Sequence, residues 1–200
     1  MHLTPIERRL KARAPLNEAD KQYLRDLARS GPSTKADWAV DLLYHYPVET
    51  NVTVEDRQLL ERAADNAHST HTRALALSLL CNWLSLAKEE IGRILAAIAD
   101  RTDGGDFLCI KACSCAALVL REVPERRLAG ALVKVFQDDT RPEGTRETAR
   151  DALLYIDGLT TREIVAAESS DPRLLQQRAE AVAKRLIAVE SESLATPPAG

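Results

Sequence analysis

Aromatic residues are scarce in this sequence: phenylalanine, tryptophan and tyrosine together make up 4% of its 200 residues. β-branched residues are thinly spread, and no segment shows the strict alternation of apolar and polar residues that marks a half-buried strand. Alanine and leucine dominate the apolar fraction of 45%, and both lose little rotamer freedom in a helix. The composition therefore predicts an all-α protein without a sheet.

The sequence also lacks a basic excess, a long apolar run and a dispersed set of cysteines. Its net charge of −3 argues against a nucleic-acid-binding domain, which carries a strong positive excess. The longest apolar stretch, residues 113–120, is too short to span a bilayer, and residues 1–9 lack the apolar core of a secretory signal. Three of the four cysteines fall within residues 109–115, which is not a disulfide framework. We therefore expect a cytoplasmic protein with no membrane contact.

Glycine- and proline-containing breakers divide the chain at regular intervals, and ten helices are predicted between them. Some predicted helices begin with capping signals: Thr53 precedes two acidic residues, and Asp171 precedes Pro172. The predicted helices cover Asn17–Arg29, Thr34–Tyr46, Val54–Ala67, His71–Ser85, Lys88–Ala99, Phe107–Glu122, Glu125–Gln137, Thr145–Ile156, Thr161–Glu168 and Pro172–Val189.

Every second helix carries a basic residue near its start, at spacings of 38, 38, 35 and 32 residues. We call this set the basic ladder; it consists of Lys35, Arg73, Lys111, Arg146 and Arg178. A small residue follows within one turn in most copies, and a leucine stands seven positions on in all but the last. A helix packed between two neighbours needs that pattern, because small residues let backbones approach and leucine fills the seam. The spacing predicts five stacked helix pairs.

Residues 138–154 read Asp-Asp-Thr-Arg-Pro-Glu-Gly-Thr-Arg-Glu-Thr-Ala-Arg-Asp-Ala-Leu-Leu, and residues 171–181 read Asp-Pro-Arg-Leu-Leu-Gln-Gln-Arg-Ala-Glu-Ala. With its acidic turn, basic residue and alanine-rich second helix, the chain resembles the HEAT-like repeats of the armadillo superfamily over roughly residues 16–189. The resemblance implies a right-handed α-α superhelix, a HEAT-like solenoid of about five helix pairs, with the second helices lining its concave side. The turns are one or two residues longer than is usual in the family.

Three regions are expected along the chain. Residues 1–15, with four basic residues, form an N-terminal polar arm or capping helix. Residues 16–189 form the HEAT-like α-solenoid domain. Residues 190–200, rich in serine, glutamate and proline, form a disordered tail.

The cysteine cluster is the first candidate for chemistry. Cys109 and Cys113 are four residues apart and share a helix face. A zinc site needs three or four ligands at about 2.0–2.3 Å, whereas equivalent positions on stacked helices lie about 8–10 Å apart. Buried cysteine packs as a small hydrophobe, so we expect Cys109, Cys113 and Cys115 to pack in the core. No metal, cofactor or catalytic residue is predicted.

The basic ladder is the best candidate for binding. If the second helices line a concave surface, Lys35, Arg73, Lys111 and Arg146 would meet an acidic partner there. The alternative is structural, because Asp65, Asp103 and Asp138 each lie eight residues upstream of a ladder residue and could pair with it.

Aromatic residues in the first helix pair form a second candidate for partner binding: Trp38, Tyr44 and Tyr46. Tyrosine and tryptophan are enriched at binding hot spots. Core packing is the alternative interpretation of the same residues.

The sequence therefore predicts a non-catalytic protein–protein interaction module, such as an adaptor, a scaffold or an immunity-type binding protein. Its partner is expected to be another protein with an acidic surface, and nucleic acid is not expected. The alternative implied by the resemblance is a HEAT-like enzyme, of the DNA glycosylase type or the bilin lyase type. Acidic net charge and few aromatics count against the glycosylase, and no residue points specifically to the lyase.

Overall fold

The computed structural model describes residues 6, 8, 9, 12, 14, 16–31, 33–44, 53–83, 87–102 and 105–194. These residues form ten α-helices, a single π-helical turn at Leu79–Trp83 and no strand, which confirms the prediction of an all-α chain. The helices are α1 (Glu18–Arg29), α2 (Thr34–Tyr44), α3 (Val54–Asn66), α4 (Thr70–Ser78), α5 (Ile91–Ala99), α6 (Gly105–Glu122), α7 (Arg126–Gln137), α8 (Glu143–Ile156), α9 (Thr161–Ser170) and α10 (Pro172–Leu194).

Most of the predicted helix ends lie within a few residues of the observed ones. The largest difference follows α4, where the predicted helix to Ser85 gives way to the π-helical turn after Ser78. At the other end of the chain, α10 runs to Leu194, so the predicted tail of residues 190–200 begins inside this helix. The last six residues, and most of residues 1–15, lie outside the described part of the chain.

The chain divides into two compact units, Met1–Leu84 and Ser85–Gly200. In the first unit α1 packs on α2 and α3 packs on α4, while α1 also contacts α3 and α2 also contacts α4. Leu24, Leu60 and Leu80 are fully buried between these helices. Over residues 16–31, 33–44 and 53–83, the first unit therefore contains two helix pairs whose equivalent helices touch.

Asp56 connects three helices of the first unit. With Thr53 it forms the capping box at the start of α3, which satisfies backbone N–H groups that have no partner inside the helix. Its carboxylate also accepts hydrogen bonds from Arg25 of α1 at 3.0 Å and from the Tyr44 hydroxyl of α2 at 2.9 Å. Burial alone would raise the pKa of Asp56, but hydrogen bonds from Arg25, Thr53 and Tyr44 outweigh it, so the pKa is lowered.

The second unit contains three helix pairs. α5 packs on α6, α7 on α8 and α9 on α10, and the second helices α6, α8 and α10 contact one another in sequence. Small residues one position after the ladder residues, Ala112 and Ala179, are completely buried in this unit. Close contact between α6, α8 and α10 depends on such residues, because larger side chains would push the helix axes apart.

The first helices of this unit are less evenly packed. α5 lies against α7, and α7 also contacts α10, whereas α9 buries only Ile164. Among the described residues, no helix combines the length and the hydrophobicity that crossing a membrane requires.

Candidate functional site

The ladder residues of the first unit lie in two different environments. Lys35 is exposed at the start of α2. Arg73 is half-buried in α4, and its Nε lies 3.5 Å from the Ala64 carbonyl oxygen. The side chain of Arg73 therefore rests against the end of α3.

In the second unit the ladder residues contact their own surroundings. The ammonium of Lys111 lies 5.5 Å from the centroid of the Phe107 ring, one turn earlier on α6. Arg146 pairs with Asp139 of the preceding turn at 2.9 Å. The acidic pairing predicted for Arg146 is therefore present, but its partner is Asp139 and not the expected Asp138.

Arg178 is also held by an acidic turn. Its Nε donates to Asp157 at 2.6 Å, and the same carboxylate accepts from Arg185 at 2.6 Å. Asp157 follows the end of α8, so these bonds attach α10 to that turn. Lys111, Arg146 and Arg178 thus each contact another side chain of their own unit.

The aromatic residues predicted to bind a partner are separated by the structure. Trp38 is 46% exposed on α2 and is available to a partner. Tyr44 is buried, and its hydroxyl donates to Asp56, so the expectation that it contacts a partner needs correction. Its ring is buried among the helices of the first unit, and the bond to Asp56 satisfies the hydroxyl there. Tyr46 lies outside the described residues.

A different surface in the second unit forms a concave site. Helices α5 and α7 lie side by side and border a groove of about 600 Å³, which we call the α5–α7 groove. Its volume is within the range of known ligand pockets. The apolar part of its lining consists of Leu95, Ile98, Ala99, Gly130, Ala131 and Val135. The charged part consists of Arg101, Arg126, Arg127, Lys134, Asp138 and Arg141.

Arg141 is the buried cation of this lining, with 5% of its surface exposed. Its guanidinium donates to the Ile98 carbonyl at 2.6 Å and to the Asp100 carbonyl at 3.3 Å. Carbonyl groups at a helix C-terminus lack partners inside the helix and carry partial negative charge. Arg141 therefore caps the end of α5 and fixes one end of the groove.

Asp138 is the single carboxylate in the described lining of the groove. It accepts hydrogen bonds from the Thr140 hydroxyl and backbone and from Arg101. These bonds, those from Thr140 first, lower the pKa of Asp138 to about 2. At neutral pH Asp138 is ionised and already bound to Arg101, so no carboxylate of the described lining is left to neutralise Arg126, Arg127 and Lys134.

Three exposed cations of α7, Arg126, Arg127 and Lys134, remain around the groove. Within the part of the chain that the structure describes, none of the three forms an ion pair. Exposed cations of one sign around an apolar depression attract an anionic surface and repel a cationic one. The α5–α7 groove is therefore suited to a partner that is both acidic and apolar.

The cysteine cluster is closed to solvent. Cys109, Cys113 and Cys115 of α6 are completely buried. A hydrogen bond from the Cys113 thiol lowers the pKa of Cys109, and that bond, together with burial, raises the pKa of Cys113. Among the described residues, no three metal-binding side chains come together. These thiols pack in the core, as predicted from the tendency of cysteine to pack as a small hydrophobe.

Comparisons with protein-family models, with curated proteins and with solved structures gave no match. The resemblance to HEAT-like repeats therefore rests on the repeat pattern of the sequence, and function has to be argued from the groove itself.

Sequence reasoning missed the groove because it aligned the second helix of each pair, whereas α5 and α7 are first helices. A signal was present in the predicted helix Glu125–Gln137. Arg127, Ala131 and Lys134 stand at positions i, i+4 and i+7, which share one helix face. The contribution of α5 could not be predicted in the same way, since it depends on tertiary contacts.

Proposed function

We propose that this protein is a non-catalytic protein–protein interaction module, built as a HEAT-like solenoid, whose α5–α7 groove receives an acidic surface of another protein. The observation that carries the proposal is the set of three exposed, unpaired cations around an apolar depression. Contacts between equivalent helices within each unit support the repeat architecture.

Apolar and charged parts of the groove would have different tasks in binding. Burial of apolar surface at Leu95, Ala99 and Ala131 favours binding, because it removes apolar surface from water. The cations select acidic partners, speed their encounter and set their orientation. A groove with both features fits a specific protein contact better than a general anion site.

The chemistry of the groove argues against catalysis there. Its one carboxylate, Asp138, has its pKa lowered to about 2 by Thr140 and Arg101. A general acid or base works best when its pKa lies near the operating pH. Asp138 is therefore poorly suited to proton transfer, and the remaining charged groups of the described lining are guanidinium groups and the ammonium of Lys134.

A nucleic-acid partner has less support than a protein. Grooves that bind single strands combine positive charge with aromatic side chains on which bases stack. No aromatic residue is found in the described lining of the α5–α7 groove, and the net charge of the chain is −3. Recognition of a protein, in contrast, is compatible both with a groove lining that has no aromatic residue among the described residues and with a negative net charge.

The proposal is tested by charge reversal with a matched control. The groove variant carries Arg126→Glu, Arg127→Glu and Lys134→Glu. The control carries Arg162→Glu, Arg173→Glu and Lys184→Glu, which change the same charge at exposed positions of α9 and α10. Each protein is used as bait in lysate of source cells, partners are identified by mass spectrometry, and circular dichroism verifies folding.

We expect wild type and control to retain a partner with an acidic segment and the groove variant to lose it. Retention of every partner by the folded groove variant would refute the role of the groove. A further variant, Lys35→Glu with Lys111→Glu, tests the basic ladder. Loss of the partner only in that variant would assign binding to the ladder instead.

A further inference from the structure

The spacing of the groove residues on α7 defines a register. Arg127 and Lys134 are seven residues apart, and Ala131 lies between them on the same helix face. At a rise of about 1.5 Å per residue, the two cationic positions are separated by about 10.5 Å along the axis. Acidic residues seven positions apart on another helix have the same separation.

The walls of the groove restrict the conformation of its occupant. Both α5 and α7 satisfy their backbone hydrogen bonds internally, so the groove offers no strand edge to an extended peptide. Polyproline segments bind grooves lined by aromatic residues, and the described lining here contains none. The remaining conformation for a ligand is an α-helix, because it satisfies its backbone hydrogen bonds internally and can present one apolar face to the groove.

Small residues of α7 permit a helix to approach closely. Gly130 and Ala131 are half-buried at the middle of the groove, between Arg127 and Lys134 along α7. Helix axes pack about 8–10 Å apart, and the shorter distances need small side chains at the contact. Leucines of an incoming helix would reach Leu95 and Ala99 of α5 from that position.

From this register we infer that the α5–α7 groove binds an amphipathic α-helix of a partner protein, with two acidic residues seven positions apart and apolar residues between them. The acidic residues pair with Arg127 and Lys134, while the apolar residues cover Gly130 and Ala131. This inference rests on the proposed function and adds the conformation and the sequence pattern of the ligand.

Synthetic peptides of about 18 residues test the inference by fluorescence anisotropy with the full-length protein. The first peptide has glutamates at its fourth and eleventh positions, leucines at its seventh and eighth, and alanine or glutamine elsewhere. A second peptide has the same composition with its glutamates nine positions apart, which places them on opposite faces. A third carries proline at its ninth position, which breaks the helix.

We expect the Kd of the first peptide to be at least about tenfold lower than the Kd of either of the others, a difference of about 1.4 kcal/mol in binding free energy. Circular dichroism should show it gaining helix when bound. Affinity should also fall as ionic strength rises, because the charged contacts are exposed. Equal affinities for all three peptides, or tighter binding of the proline peptide, would overturn a helical ligand.

Variants of the protein locate the binding surface. Arg127→Glu with Lys134→Glu should weaken the first peptide about tenfold or more, and Ala131→Leu should weaken it by filling the groove. Arg162→Glu with Arg173→Glu, and Ala166→Leu, are controls on exposed positions of α9 and α10 and should change affinity less than about twofold. Equal losses in groove variants and controls would place the peptide elsewhere.

A fluorescent single-stranded oligonucleotide provides the remaining comparison. If it binds more tightly than the first peptide and displaces it, the groove is a nucleic-acid site and the helix inference is wrong. The two proposals fail separately. If the groove variant loses its partner in lysate but the wild-type protein binds all three peptides equally, the helical register is refuted and protein binding by the groove still stands.

Discussion

Arg141→Met tests whether a buried guanidinium holds the end of α5. The substitution keeps most of the aliphatic stem and removes the donors to the Ile98 and Asp100 carbonyls, at 2.6 Å and 3.3 Å. It also removes the ion pair with Asp106, whose side chain is 45% exposed. No other residue of the described chain donates a side-chain hydrogen bond to the Ile98 carbonyl, so that oxygen would be left without this partner.

The expected loss follows from opposing contributions. Two hydrogen bonds from a charged donor stabilise by about 1.5–3 kcal/mol each, and the exposed ion pair adds about 0–1 kcal/mol. The substitution also removes the cost of burying a guanidinium, whose Nε has no partner in the described structure. This gain offsets about 1–3 kcal/mol of the loss. The midpoint of these ranges gives an expected net loss of about 3 kcal/mol, equivalent to about 6–12 °C in Tm for a chain of this size.

Urea unfolding followed by far-ultraviolet circular dichroism measures this loss, with an unchanged denaturant dependence indicating the same unfolding transition. Arg141→Lys should fall between wild type and Arg141→Met, since an ammonium cannot reproduce the fork of a guanidinium. Arg127→Met, which removes an exposed and unpaired guanidinium, is the control and should cost less than about 0.5 kcal/mol. A loss below about 1 kcal/mol for Arg141→Met would refute the capping role.

Three further predictions concern other parts of the structure. Because the pKa of Asp56 is lower in the folded protein than in the unfolded chain, ionised Asp56 stabilises the fold fully above the unfolded pKa of about 4. This stabilisation is lost as the pH falls through the folded pKa. Asp56→Asn should therefore lower the free energy of unfolding in urea more at pH 7 than at pH 3. The buried thiols of Cys109 and Cys113 should react with Ellman's reagent only after unfolding, because the thiolate needs access to the reagent. Gly105→Ala should destabilise by about 1 kcal/mol, since an added Cβ would lie 3.0 Å from Asp100 Oδ1 and 3.2 Å from its carbonyl oxygen.

Each of these predictions has an outcome that would contradict it, and two of them have a control variant. Asp26→Asn changes an exposed carboxylate of α1 and should affect stability little at either pH; an equal pH dependence in both variants would contradict the role of Asp56. Rapid modification of the native protein would contradict the buried state of Cys109 and Cys113. At Gly144 of α8 a Cβ meets nothing within 4 Å, so Gly144→Ala should be neutral or stabilising, and an equal loss there would remove the steric argument for Gly105.

Helix positions were predictable because the signals that start and stop helices are local. Thr53 caps α3 through a hydrogen bond to the backbone of Asp56, three residues later, as the sequence order of these two residues suggests. Pro172 begins α10 directly after Asp171. The π-helical turn at Leu79–Trp83 was not predicted, since nothing in its sequence differs from an ordinary helix.

The groove depends on contacts between distant residues, which local patterns do not contain. The Arg141 side chain bonds a carbonyl 43 residues earlier in the chain. Tyr44 shows the same limit, because its hydroxyl donates to a carboxylate on another helix, 12 residues later in the chain. From sequence alone both residues are amphipathic side chains whose partners are unknown.

A comparison between the ladder and the groove shows which charges the fold itself explains. Arg146 and Arg178 lie in the first two turns of the second helices α8 and α10. Arg146 pairs with a carboxylate of the turn before α8, and Arg178 pairs with a carboxylate of the turn after α8. Their recurrence in the sequence is therefore accounted for by packing. Arg127 and Lys134 lie on a first helix, exposed and without ion pairs among the described residues. Since the fold does not require these charges, they are the stronger indication of a partner.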